Sequence, residues 1–172
     1  MIEIRLSGSG GQGVITAAII LAEAAIMEKK QAVQSQSYGP EARGGASKAE
    51  VIISNEFIYH PKVVSPGIVL ALTQKAANSY VSDLKEGGVL IIDEDLVPEP
   101  PTGIKVIKVP ITRLAVEKLG KDLYTNIVAL GILVKVSGVV SFETIQQAVA
   151  KRVPPATIEK NMEALRIGYE AV

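Results

Sequence analysis

The chain contains no cysteine and no tryptophan, and only one histidine, two phenylalanines and five tyrosines in 172 residues. Without cysteine it forms no disulfide, offers no thiolate nucleophile and ligates no iron–sulfur cluster in the usual way. A lone His60 cannot by itself build a zinc site or a Ser/His/Asp triad. Net charge is lacking too: 18 Lys plus Arg balance 18 Asp plus Glu, so no global field attracts nucleic acid or an acidic membrane. No uncharged apolar run reaches the roughly 18 to 20 residues of a membrane span; the longest candidate, residues 127–134, stops at Lys135. Met1 leads straight into a strand-like pattern, so no signal peptide is expected and the default is a soluble, cytoplasmic protein. Ala, Val and Ile carry the hydrophobicity, and the length suits one domain, residues 1–172, with a sizeable core.

What is present is glycine, and it is concentrated. Ile2-Glu3-Ile4-Arg5-Leu6 alternates as a short strand does, then comes Gly8-Ser9-Gly10-Gly11-Gln12-Gly13. The next 14 residues, Val14–Met27, are apolar except for Thr16 and Glu23 and read as a helix. A strand, a glycine loop and a helix in that order converge backbone N–H groups with the positive end of a helix dipole. Such a place holds an anion without any basic side chain.

Gly8, Gly10 and Gly13 match the G-x-G-x-x-G dinucleotide fingerprint in its strand–loop–helix context. That fingerprint also requires an acid about 20 residues on, at the end of the second strand, to hold the ribose hydroxyls. Here the second strand, residues 31–37, ends in Gln34, Ser35, Gln36 and Ser37, and Glu41 comes too late. A nicotinamide or flavin dinucleotide is therefore disfavoured. Two readings stay open: glycines that only permit a tight turn and close helix packing, or a loop for the phosphate or pyrophosphate of some other ligand.

Farther on, strands are expected in residues 46–54 and at 57–59, the latter as a hairpin partner across Asn55-Glu56, then at 68–72, 89–92 and 104–109. Helices are expected at 73–84, capped by Thr73 and ended by Gly87-Gly88, and at 111–119, 126–136, 141–152 and beyond Pro154-Pro155. In the last helix Ile158, Met162, Leu165 and Tyr169 share one face. Strands alternating with helices predict an α/β, three-layer fold with a largely parallel sheet that the hairpin makes mixed. Two helices, Val14–Met27 and 126–136, are apolar nearly all round; they belong in the core, or one of them also lies against another subunit.

A second loop, Ser37-Tyr38-Gly39-Pro40-Glu41-Ala42-Arg43-Gly44-Gly45, puts an aromatic, an acid and a guanidinium between glycines. Loops after parallel strands lie at the carboxyl edge of a sheet, where ligands bind, so the two glycine loops are expected to share that edge. Arg43 would then clamp a phosphate or carboxylate bidentately, or simply pair with Glu41 at the surface. Asp93-Glu94-Asp95 reads as a solvated turn rather than a metal cluster, and His60 beside Pro61 as a turn residue. Ser9, Tyr38 and Lys48 have no general base near them in sequence. No self-sufficient active site assembles, and the chain has the look of a binding part of something larger.

The two glycine loops together, with the strand at residues 90–95, the helix beginning at Asn126 and the ending around Asn161, resemble the gamma subunit of 2-oxoacid:ferredoxin oxidoreductases over nearly the whole chain. The resemblance implies an α/β domain with a Rossmann-like start whose mixed sheet curls on itself. It implies an enzyme complex that oxidatively decarboxylates a 2-oxoacid, captures the acyl group on coenzyme A and reduces ferredoxin; the loop resembles the 2-oxoglutarate branch more than the pyruvate branch, and the indolepyruvate branch, with a related domain, stays open. Thiamine diphosphate and Mg2+ would sit between the alpha and beta subunits, with iron–sulfur clusters in the beta subunit and a ferredoxin-like subunit. This chain would have no catalytic residue, no metal and no cofactor of its own. It would border the active site and help to receive coenzyme A. By the same resemblance Gly8, Gly10, Gly11, Gln12 and Gly13 form the cofactor-facing loop, with backbone N–H groups of residues 10–13 on the phosphates, Arg43 as the charged clamp and Tyr38 as a packing surface. Expressed alone, such a subunit is expected to dimerise through surface meant for its partners. The alternative is a stand-alone nucleotide-binding or regulatory module.

Overall fold

The alternation at Ile2, Ile4 and Leu6 becomes β1 (Ile2–Ser9), and the Ala-rich run after the glycines becomes α1 (Val14–Met27). There follow β2 (Gln31–Gln36), β3 (Ala46–Ser54), β4 (Ile68–Ala71), α2 (Gln74–Tyr80), β5 (Val89–Asp93), β6 (Lys105–Val109), α3 (Ile111–Leu119), α4 (Thr125–Ser137), α5 (Phe142–Arg152) and α6 (Ile158–Glu170). The computed structural model describes residues 1–37 and 45–172.

All six strands join one sheet in the order β2-β3-β1-β4-β5-β6. β1, β4, β5 and β6 run parallel, and β3 is antiparallel to both β1 and β2. The α/β class and the mixed sheet are as expected, but the antiparallel pairing has a different source. Residues 57–59 form no strand, and Phe57 and Tyr59 stand exposed in the irregular connection to β4. Both edges of β3 are already occupied, one by β1 and the other by β2, so no edge is left for a hairpin partner. Instead Ser54 Oγ accepts the N–H of Glu56 at 3.0 Å and turns the chain away.

The pleat sends alternate residues to two unequal layers. Ile4 and Leu6 of β1 and Ile68 and Leu70 of β4 face a large core made with α1, α3, α4, α5 and α6. Val69 and Ala71, with Leu90 and Ile92 of β5, face a small core closed by Ala76 and Ala77 of α2. Residues 127–134 of α4 are buried without exception, covered by α1, α3, α5 and α6. The all-round apolarity of α4 is thus satisfied within the chain and needs no second subunit.

α4 and α6 cross so closely that glycine is required on both. A Cβ on Gly168 would run into the Val128 carbonyl, and one on Gly131 into the Leu165 carbonyl, 2.8 Å from the Tyr169 nitrogen. Thr73 caps α2 as expected, its hydroxyl accepting from Ala76 N at 3.2 Å, but the helix stops at Tyr80 rather than at residue 84. A continuing helix would use the Tyr80 carbonyl for Leu84. Arg5 takes that carbonyl at 2.9 Å, and Leu84 N bonds Val81 O instead. Gly87 and Gly88 serve the turn into β5. Gly138, at φ 60°, closes α4, and Ser141 caps α5 through Thr144 N. Among the described residues no helix is long and apolar enough to cross a membrane.

Beyond α1 a small polar clasp ties its C-terminus to the turn between α4 and α5. Glu28 accepts the Ser141 N–H at 2.7 Å and the Lys30 ammonium at 2.8 Å, and Lys30 also reaches the Val139 carbonyl. Burial pushes the Glu28 carboxyl up, but hydrogen bonds from Lys30, the Ser141 backbone, Thr144 and the Ser141 hydroxyl outweigh it and hold the group at about 2.

Two consequences follow for stability. Gly168→Ala should lower the unfolding free energy by roughly 2–3 kcal/mol in urea titrations, the cost of overpacking a tight crossing; an unchanged midpoint would show that the helices can separate freely. The depressed Glu28 carboxyl, about 2 against an ordinary 4.5, contributes stability that is present in full above pH 4.5 and lost as pH falls toward 2. Glu28→Gln should therefore be less stable than the parent by roughly 2 kcal/mol at pH 7, with the gap closing near pH 2; a pH-independent gap would remove the charge from the explanation.

Candidate functional site

β1 ends at Ser9, at the carboxyl edge shared by β4, β5 and β6, and the glycine loop projects there. Gly8 is still in the strand and buried; a Cβ on it would collide with the Gln12 carboxamide and press on Leu72. Gly10 and Gly11 are exposed at the tip, Gly11 at φ +87°. Gln12 braces the turn: its Oε1 accepts Ser9 N at 2.7 Å, and its own N–H reaches Ser9 O at 3.3 Å. Gly13, at φ +77°, is the N-cap of α1, and no side chain caps that terminus. The N–H groups of Val14, Ile15 and Thr16 consequently lack intrahelical acceptors and add to the positive end of the dipole.

The second loop begins and ends at this same edge. The β1–β3 register sets Ala46 opposite Ser9, so the chain enters β3 beside the glycine loop, and Ser37 N donates to Lys48 O at 3.2 Å, so it leaves β2 at the same edge, one strand farther away. Tyr38, Glu41 and Arg43 themselves lie outside the described residues. β2, however, is not the neighbour of β1. β3 intervenes, and the position from which a dinucleotide's ribose would be held has no counterpart beside β1.

A third element joins the edge that the sequence alone does not disclose. Asn126, at the start of α4, donates from Nδ2 to the Gly13 carbonyl at 3.3 Å. Just before it Thr125 Oγ1 bonds Asp122 O at 2.6 Å, and Leu123 is 68% exposed. Residues 13 and 126 are separated by 113 positions, and no local pattern marks Asn126.

The other candidates resolve as structure. Asp93 is fully buried and not a solvated turn residue: its carboxylate accepts Thr112 N at 2.8 Å and Asp95 N at 3.1 Å, capping α3 from the end of β5. Glu94 and Asp95 both pair with Arg113, at 2.9 and 3.0 Å. Among the described residues no group of three His, Asp or Glu could hold a metal ion. His60 is exposed in an irregular stretch rather than a turn, in a cleft of 530 Å³ at the opposite edge of β1, where Glu3 is spent on the N–H groups of Val64 and Ser65.

On the face of β1 away from α1 lies a charge cluster centred on the buried pair Arg5 and Glu50, also unannounced by the sequence. Arg5 donates from Nε to Glu50 at 2.8 Å, to which β1–β3 pairing sets it opposite, and bidentately to Asp83 after α2. Burial pulls the Arg5 guanidinium down, and bonds to Asp83 and Glu50 outweigh it and raise it. The Arg5 hydrogen bond holds the Asp83 carboxyl below the usual carboxylate range. Lys48, 3.4 Å from Glu50 and over the Tyr80 ring, completes the group.

Comparison with known proteins bears on what such an edge serves. Residues 3–171 match the family described as pyruvate ferredoxin/flavodoxin oxidoreductase. The chain is 50% identical over 172 residues to the 2-oxoglutarate synthase subunit KorC of Methanocaldococcus jannaschii, covering 98% of this chain and 92% of that one. Its fold superposes with TM-score 0.90 and 51% identity on the gamma subunit of a keto/oxoacid ferredoxin oxidoreductase from Geobacter sulfurreducens, covering 99% and 98% of the two chains. A 2-oxoglutarate:ferredoxin oxidoreductase from Magnetococcus marinus, solved with 2-oxoglutarate, coenzyme A and succinyl-CoA, shares the fold at TM-score 0.86 and 22% identity, over 30% of its longer chain.

The charge cluster makes a prediction about the strand that carries the loop. Arg5→Met should destabilise the chain by roughly 3–5 kcal/mol, because Glu50 is left buried and undercompensated. The double variant Arg5→Met/Glu50→Leu should recover much of that loss in the same denaturant titration. Equal losses in single and double variants would contradict the account.

Proposed function

This chain belongs to the pyruvate ferredoxin/flavodoxin oxidoreductase family, and from that premise we propose that it is the gamma subunit of a complex that oxidatively decarboxylates a 2-oxoacid, 2-oxoglutarate in preference to pyruvate. The half-identical KorC relative, matched over nearly both lengths, supports that substrate class. We read residues 1–172 as one gamma domain that acts in the cytoplasm and is not catalytic alone.

Its task in the complex is to border the active site and receive coenzyme A, a ligand with a pyrophosphate and a further phosphate. The observation that carries this reading is the register of β1 with β3, which sets Ala46, where the chain re-enters the sheet after the second loop, opposite Ser9. Backbone N–H groups of Gly10, Gly11, Gln12 and Gly13, with the uncapped N-terminus of α1, would take phosphate oxygens. Gly8 would let the loop close on the strand. Arg43 would be the charged clamp, and Tyr38 a packing surface for the loop or a partner. With no cysteine the chain offers no thiolate to ligate an iron–sulfur cluster, and we place thiamine diphosphate with Mg2+ outside this chain as well. Those groups are assigned to alpha, beta and ferredoxin-like partner subunits, with ferredoxin as electron acceptor. Separated from these partners, the chain would self-associate.

In the assembled complex, Arg43→Ala should raise the KM for coenzyme A about tenfold, the weight of one charge-assisted contact, and leave the KM for the 2-oxoacid unchanged. Steady-state kinetics with each substrate varied in turn checks this; an unchanged KM for coenzyme A would sink the role of Arg43.

A further inference from the structure

We infer that Asn126 is a positioning residue for the glycine loop, fixing Gly13 and so the direction in which the loop's N–H groups face a phosphate-bearing acyl acceptor. The inference rests on the coenzyme A reading above. Its geometric basis is the pairing of a side chain with a missing one. The Asn126 carboxamide fills the place where a side chain on residue 13 would stand: an ideal Cβ there would be 2.6 Å from Nδ2, 2.9 Å from Cγ and 3.1 Å from Cβ of Asn126. Only glycine at 13 admits it, and φ +77° at that position favours glycine independently.

The carbonyl that Asn126 holds is the one that starts α1. Gly13 O accepts Ala17 N at 3.1 Å and Asn126 Nδ2 at 3.3 Å, which uses both of its lone pairs. Rotation of the Gly13 peptide would break both bonds together. The anchor is itself rigid, since α4 is buried along residues 127–134 and locked against α6 at Gly131 and Gly168. Gln12 fixes the loop from within through Ser9; Asn126 fixes it from outside, from a helix 113 residues away. A carboxylate at 126 would do the reverse: it would set an acceptor against the Gly13 carbonyl and a negative charge beside the N-terminus of α1.

The test is steady-state kinetics of the assembled complex. Asn126→Ala should raise the KM for coenzyme A about tenfold, the weight of one hydrogen bond, with kcat and the KM for the 2-oxoacid within about twofold. Asn126→Asp should raise it further, and the excess over Asn126→Ala should shrink as salt is added. If both variants lower kcat or complex yield equally, with no selective effect on coenzyme A and no salt dependence, Asn126 is structural and the inference fails. Should Asn126→Ala not assemble, Asn126→Ser carries the same expectation with a smaller change. Gly11→Val, strained at the loop tip, separates the two levels. A raised KM there with none for Asn126→Ala overturns only the positioning role; no change in either overturns the coenzyme A reading beneath it.

Discussion

β1 is held by ladders of opposite sense, antiparallel to β3 along its whole length and parallel to β4 over Ile4, Arg5, Leu6 and Ser7. That double pairing places the strand's end, and the glycines after it, at the carboxyl edge of the parallel half of the sheet. It also brings the chain back to the same edge, because a strand antiparallel to β1 must start where β1 stops. Ala46 therefore faces Ser9, and β3 begins beside the glycine loop. The same arrangement removes β2 from contact with β1, and with it the site of the ribose-binding acid. One choice of strand order thus separates β2 from β1 and sets the start of β3 beside the glycine loop.

The two faces of β1 are specified by different forces. Toward α1, burial of Ile4 and Leu6 in a continuous apolar core sets the register, since a slip of one residue would turn them outward. Toward α2, Arg5 meets Glu50 across the ladder and Asp83 beyond the helix, and it captures the Tyr80 carbonyl that a longer helix would have used. A buried guanidinium with this many bonds adds little net stability but tolerates little rearrangement, because Glu50 left alone would be a buried, undercompensated charge.

Glycine acts here through what it lets approach. Gly168 and Gly131 let α6 and α4 meet at backbone distance; Gly13 lets the first turn of α4 reach the loop. The three contacts form a series from the C-terminal helix, through the buried α4, to the N-terminus of α1. The loop is thereby referenced to the whole helical layer and not only to its own strand.

The residues on their own determined the elements that periodicity and caps encode: β1, the long α1, the capped starts of α2 and α5, and the glycine stop of α4. They also marked the glycine loop between β1 and α1, since hydrophobic period and capping act within a few neighbouring positions. The false strand at 57–59 and the overlong α2 arose because local pattern cannot see that β3 has no free edge or that Arg5 takes the carbonyl of Tyr80. Asp93 as a buried cap, the Arg5 cluster and Asn126 on Gly13 were likewise decided only by the tertiary structure. Each joins residues far apart in the chain, and such contacts depend on strand order and helix crossing, which no local spacing of residue types records.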